Sequence, residues 1–155
     1  MSNGKNLDLA RAFVGVAEAQ GRATTLLDLT TLDLPVFTPR TEAEGVPSAI
    51  TPVLATFTEA SRFVFCGPEY NGSTPPCLTN VIAWLSTATD DFRQVFNGKG
   101  AVLATHSGGH GQKMLMALRM QLSHMGVNVV GRELQTNDKK PYRISSIEAL
   151  LAELV

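Results

Sequence analysis

Charge, cysteine and long apolar runs are all scarce in this 155-residue chain, and each scarcity excludes something. Only 17% of residues are charged and the formal net charge is -1. Beyond Lys139, Lys140 and Arg143 there is no basic cluster, so nucleic acid is not an expected partner. The two cysteines, Cys66 in an apolar run and Cys77 near a helix start, form neither a disulfide framework nor a metal set. No apolar stretch approaches the roughly 20 residues that cross a bilayer. Residues 1–20 also lack the charged-then-apolar pattern of a signal peptide, so the expected location is cytoplasmic, with no membrane partner. No G-x-G-x-x-G follows any strand candidate, which removes the dinucleotide fingerprint.

What remains is an ordinary core-forming composition, 44% apolar, at a length that suits one domain spanning 1–155. Apolar periodicity predicts a first helix with Leu9, Phe13, Val16 and Ala17 on one face. Ala23–Leu29 is rich in β-branched and apolar residues after Gly21 and predicts a strand. The segment from Thr30 to Gly45 has two prolines and little periodicity, so it predicts a loop. Pro47-Ser48 opens a helix with Ile50, Val53, Leu54 and Phe57 aligned. Buried strands are predicted at 62–66, 101–105 and 127–131, and helices with Leu78, Val81, Ile82 and Leu85, and with Leu115, Leu118, Leu122 and Met125, on their inner faces. After a polar loop at 132–144, Ser145 and Glu148 have capping-box spacing ahead of a closing helix with Ile147, Leu150, Leu151 and Leu154. Strands alternating with helices predict an α/β protein with a parallel sheet.

The segment Gly67-Pro68-Glu69-Tyr70-Asn71-Gly72-Ser73 follows the apolar strand 62–66 and precedes Thr74-Pro75-Pro76, a threonine N-cap and early proline that suit a helix start. A polar turn in that place lies at the carboxyl end of a strand, where open parallel sheets bind ligands. Pro68 to Ser73, followed by a helix with Asn80, Trp84, Leu85 and Ser86, resembles the signature turn of the NAD(P)H-dependent FMN reductase family, flavoproteins of flavodoxin-like fold.

The resemblance implies a flavodoxin-like three-layer sandwich with a parallel sheet. It also implies a strand ahead of the phosphate loop, in the centre of a 2-1-3-4-5 order; the chain starts at that loop, so the first, central strand is missing. Ser2, Gly4, Lys5 and Asn6 stand where the family's FMN-phosphate turn lies. Pro68, Glu69, Tyr70, Asn71, Gly72 and Ser73 stand at the flavin ring, with Tyr70 as an apolar cover or a subunit contact and Asn71 and Gly72 offering amides. His106, Ser107, Gly108 and Gly109 resemble the second flavin loop. The implied activity is hydride transfer from NADPH or NADH to FMN and on to a flavin, quinone, azo or metal-oxyanion acceptor. No catalytic acid or base is implied, and the family assembles as homodimers or homotetramers.

Other readings of the same residues compete with this one. A flavodoxin-like electron carrier binds FMN without meeting nicotinamide, and a degenerate module of the same fold binds no flavin. His106 and His110 are spaced like zinc ligands on a helix, but two intervening glycines oppose helix there, so no metal is expected. Asp90 and Asp91 read as a solvated turn. Cys77 reads as a packing residue, and Trp84, Met114, Met116 and Met120 as core or subunit interface.

Overall fold

A computed structural model describes residues 2–91 and 93–154, without the side chains of Ser2 and Asn3. Its sheet is built on β2 (Gly100–His106), the longest of the strands, with β1 (Arg62–Cys66) on one side and two short strands, β3 (Asn128–Val129) and β4 (Leu134–Thr136), on the other. Every pairing is parallel, with Val64 opposite Val102 and Thr105 opposite Gln135. β2 is covered on both faces, which explains why Ala101 to Thr105 are all fully buried and almost wholly apolar.

Alternation along the strands sends side chains to two separate cores. Phe63, Phe65, Ala101 and Leu103 face α3 (Ile50–Glu59), α4 (Pro76–Thr87), α5 (Arg93–Phe96) and α6 (Gln112–His124). Val102 and Ala104 face α1 (Ser2–Ala19) and α7 (Ile144–Glu153). This is a three-layer sandwich of flavodoxin-like kind, and the inner faces predicted from periodicity are the buried ones: Leu9 and Phe13, Val53 and Phe57, Val81 and Leu85, Leu115 and Leu118, Leu150 and Leu151. Trp84 is fully buried. Its indole N–H and the Asn80 amide both donate to the Pro35 carbonyl, which pins the 30–45 segment to α4.

Three sequence expectations are corrected. Residues 23–28 are extended but unpaired, and 29–31 form a single 3-10 turn in place of the predicted strand. A strand needs a neighbour, and no strand lies between this segment and β1, so β-propensity has no ladder to act on. The predicted strand 127–131 is cut short at Val129 and pairing resumes at Leu134 inside the predicted loop. Arg119 of α6 causes the break: its guanidinium donates to the Val129 and Val130 carbonyls and pairs with Glu133 at 2.8 Å. Finally, neither Ser145 nor Thr74 caps a helix. Arg143 precedes α7 without a side-chain cap, Pro75 precedes α4, and the Thr74 hydroxyl bonds that of Thr79. The predicted loop also contains α2 (Pro39–Ala43), capped reciprocally by Thr38 and Thr41.

Candidate functional site

The predicted site segments converge at the carboxyl ends of β1 and β2. Thr105 closes the two strand ends by donating its hydroxyl to the Gly67 carbonyl at 2.7 Å. From there β1 leads into 67–73 and β2 into 106–111, and the first turns of α1 lie beside both.

Asn6 makes that third connection. It is 2% exposed, its side-chain amide donates to the His106 carbonyl at 2.9 Å, and its side-chain oxygen accepts the His106 N–H at 2.8 Å. β1 has already ended at this level, so the Asn6 amide stands in for a peptide unit of a neighbouring strand. The expected phosphate turn at 2–6 is therefore helical: α1 begins at Ser2, and Asn6 lies inside the helix with its side chain committed to β2. Gly4 and Lys5 are exposed in the first turn, where helix N–H groups lack intrahelical acceptors. The side chain predicted for Ser2 falls outside the described residues.

The 70–73 stretch is a two-residue reverse turn. Tyr70 and Ser73 exchange both backbone hydrogen bonds, at 3.0 and 2.8 Å, and Asn71 and Gly72 have φ of 48° and 75°. Asn-Gly is the pair that tolerates two successive left-handed residues, which is why this dipeptide stands here. The turn leaves the Asn71 and Gly72 N–H groups without an intrachain acceptor, and Tyr70 is 48% exposed at its base. Pro68 is buried beneath it.

Glu69 takes a role the sequence did not suggest. Its carboxylate accepts the backbone N–H groups of Lys113 and Met114 at 3.2 and 3.4 Å, so it caps α6 and ties the first loop to the helix after the second. The positive end of α6 is thus already matched by a carboxylate of the chain. Glu69→Ala is expected to lower stability by about 1 kcal/mol, as for loss of a helix cap. Urea unfolding checks this, and an unchanged midpoint would contradict it.

The second loop is held from the other side by a segment that composition marks only as polar. The Ser107 N–H donates to the Thr136 carbonyl, His106 Nδ1 lies 3.2 Å from the Thr136 hydroxyl, and His106 Nε2 lies 3.3 Å from Asp138. Asn137 meets His110 Nδ1 at 3.1 Å while its carbonyl oxygen holds the turn through the Lys139 and Lys140 N–H groups. Both histidines are therefore braces between loops, and no group of three or more potential metal ligands occurs among the described residues. Thr136, Asn137 and Asp138 are the site-framing residues that pattern reading missed. Their only sequence signal was a turn-forming Asn-Asp pair.

Gly108 and Gly109 differ from the other loop glycines. Gly111 is required by the fold, since it has φ of 71° and a Cβ there would lie 2.6 Å from Thr105 Cγ2. At Gly108 and Gly109 a Cβ would meet nothing within 4 Å, φ is outside the left-handed region, and both are exposed. Nothing inside the chain demands glycine at either place. Their N–H groups also lack intrachain acceptors. A flat rigid ligand lying against this backbone would demand it.

The cysteines take no part. Cys66, partly exposed as a whole residue, has its thiol pushed up to about 12 by burial, and burial also raises Cys77, outweighing the backbone N–H groups at the start of α4. Met114 is core, whereas Met116 and Met120 project into solvent from α6.

Comparison with known proteins adds an independent line. A family model described as NADPH-dependent FMN reductase matches residues 1–140. Among solved structures, the chain is similar to FerB, a flavoenzyme NAD(P)H:(acceptor) oxidoreductase from Paracoccus denitrificans, with 19% identity, a TM-score of 0.75 and coverage of 96% of this chain and 88% of that one. It is similar to the NADH:FMN oxidoreductase EmoB, with 17% identity, a TM-score of 0.73 and coverage of 97% and 82%. An NAD(P)H:quinone oxidoreductase from Methanothermobacter marburgensis matches at 16% identity and a TM-score of 0.66, covering 99% and 86%. At these identities the structures speak for the fold. No curated protein matches the chain.

Proposed function

We propose, from the premise that this chain belongs to the NADPH-dependent FMN reductase family, that its flavin-dependent NAD(P)H oxidoreductase activity is run from the loops 67–73 and 106–111. The observation that carries this placement is the pair Gly108 and Gly109, two glycines that the fold does not need, facing a turn whose Asn71 and Gly72 amides are unspent. That donor set fits the oxygen- and nitrogen-bearing edge of an FMN ring, and the bare glycine backbone fits its flat face. Bound FMN supplies the redox chemistry, taking hydride from NADPH or NADH and giving it to an acceptor.

The chain's own residues have supporting roles. Asn71, Gly72, Gly108 and Gly109 donate backbone N–H groups to the ring edge, and Tyr70 covers one side. Asn6, Glu69, Thr105 and the two histidines hold the loops at fixed separation, so little ordering accompanies binding. Gly4 and Lys5 supply N–H groups and a cation for the phosphate at the start of α1. The acceptor is a small molecule of the flavin, quinone, azo or metal-oxyanion classes. The chain works as one domain, and Met116 and Met120 are the residues we would expect at a homodimer contact. No helix is long and apolar enough to cross a membrane among the described residues.

The test is a visible spectrum of the purified protein with FMN, followed by anaerobic addition of NADPH or NADH. Bound flavin bleached by a nicotinamide is the expected result. Binding without bleaching by either donor would favour an electron carrier, and no binding would favour a module without flavin.

A further inference from the structure

The largest groove in the structure lies where the sheet stops. It encloses about 1050 Å3 between β1 and residues 22–30, under Ala10, Phe13 and Val14 of α1. Both walls are extended backbone with hydrogen-bonding groups turned inward. On the β1 side, the Ser61 carbonyl and the Gly67 N–H are bonded to β2, and in a parallel ladder the bonding residues alternate. Ser61, Phe63, Phe65 and Gly67 are thus spent on β2, and the N–H and C=O groups of Arg62, Val64 and Cys66 point into the groove. On the opposite wall, the backbone groups of residues 23–27 have no hydrogen-bond partner among the described residues.

An empty cleft of this kind is unusual, because a sheet edge is normally covered, charged or broken. Here the edge strand is apolar, and Val64 and Cys66, which share a face with the fully buried Val102 and Ala104, are themselves only half-buried. The charged residues of the lining, Arg22, Asp28, Glu59 and Arg62, stand near the termini of the two walls and include equal numbers of each sign. The middle is apolar above and below, and polar only in the backbone plane. That combination is complementary to one kind of occupant, an extended chain whose side chains are apolar on both faces and whose amides lie in the sheet plane.

We propose that this groove is a receptor for a single extended, uncharged polypeptide strand, which inserts between β1 and residues 23–28 and continues the sheet. The inserted strand gives residues 23–28 the ladder they lack, so that segment becomes the strand its composition predicts. One end of the groove opens on Asn6, Gly67, Pro68 and Tyr70. Occupancy therefore also completes a wall of the flavin site, a consequence that rests on the function proposed above.

The probe is a rhodamine-labelled peptide of five alternating valine and isoleucine residues between terminal lysines, followed by fluorescence anisotropy on the whole protein without flavin. A second peptide carries N-methyl groups on alternate amides, which keeps its apolarity and removes the donors along one edge. Saturable binding of the first peptide, weakened about tenfold or more by N-methylation, is the expected result, equivalent to losing one or two net hydrogen bonds. Equal binding of both peptides would overturn the proposal, since any apolar body would then fill the cleft. No binding would also overturn it, whether the protein is monomeric or a dimer in which a second copy occupies the groove. An FMN titration repeated with the first peptide bound should show tighter flavin binding. Unchanged affinity would overturn the link to the flavin site while the flavin-free measurement stands by itself.

Discussion

Asn6→Ala is expected to destabilise the protein by about 2–4 kcal/mol, from two partly buried backbone groups left without partners at about 1–3 kcal/mol each. The donor and acceptor of one side-chain amide satisfy the carbonyl and N–H of one residue, His106, at the last position of β2. Alanine fills neither role, and the site is closed to solvent on the α1 side, where Asn6 is 2% exposed. Asn6→Asp keeps the acceptor and loses the donor, so it should retain part of the stability. Urea unfolding of all three proteins without flavin provides the measurement. A loss below about 0.5 kcal/mol, the range of an ordinary surface substitution, would show that water replaces the amide and that the staple is incidental. Because His106 starts the loop that carries Gly108 and Gly109, FMN affinity should fall in the same order as stability.

Gly109→Val is expected to do the reverse, leaving stability within about 0.5 kcal/mol while FMN affinity drops at least about thirtyfold, close to 2 kcal/mol. The side chain would project into space that no protein atom occupies. Any penalty then comes from the ligand. Gly109→Ala should give an intermediate loss, as expected for steric exclusion. At Gly72, the glycine that the signature turn makes most conspicuous, the same substitution mixes two effects. Its φ of 75° strains any β-branched residue, and a Cβ there would lie 3.3 Å from Lys113 Cδ. Fluorescence titration with FMN, paired with thermal melting, separates the cases. Equal FMN affinity in folded Gly109→Val and parent would remove the second loop from the flavin site.

These two predictions bear on different properties of one loop. Asn6 acts through the backbone it holds in place, and Gly109 acts by having no side chain. Glu69 belongs with Asn6: the motif places it beside a ligand, whereas its carboxylate is engaged by the helix α6. A motif match identifies which residues occur together at a site, and their separate tasks follow from where each side chain points.

The sequence by itself determined the layer order, the inner faces of the helices and the two loops at the carboxyl edge of the sheet. Those features are local: helical periodicity needs only neighbours three and four residues apart, and a run such as Val102-Leu103-Ala104 is apolar because both faces of its strand are covered. The Asn71-Gly72 turn was legible for the same reason, since left-handed backbone angles select their residues locally. Tertiary structure decided whatever depends on a partner distant in the chain. Residues 23–28 have the composition of a strand and are not one, because a ladder is shared property and its other half is absent from that edge. The last strand is interrupted because Arg119 reaches two of its carbonyls from α6. Asn6 reads as a helix cap or a phosphate contact until His106, a hundred residues later, is brought against it. Periodicity carries no information about such pairings, and only the packed chain brings their members within hydrogen-bond reach.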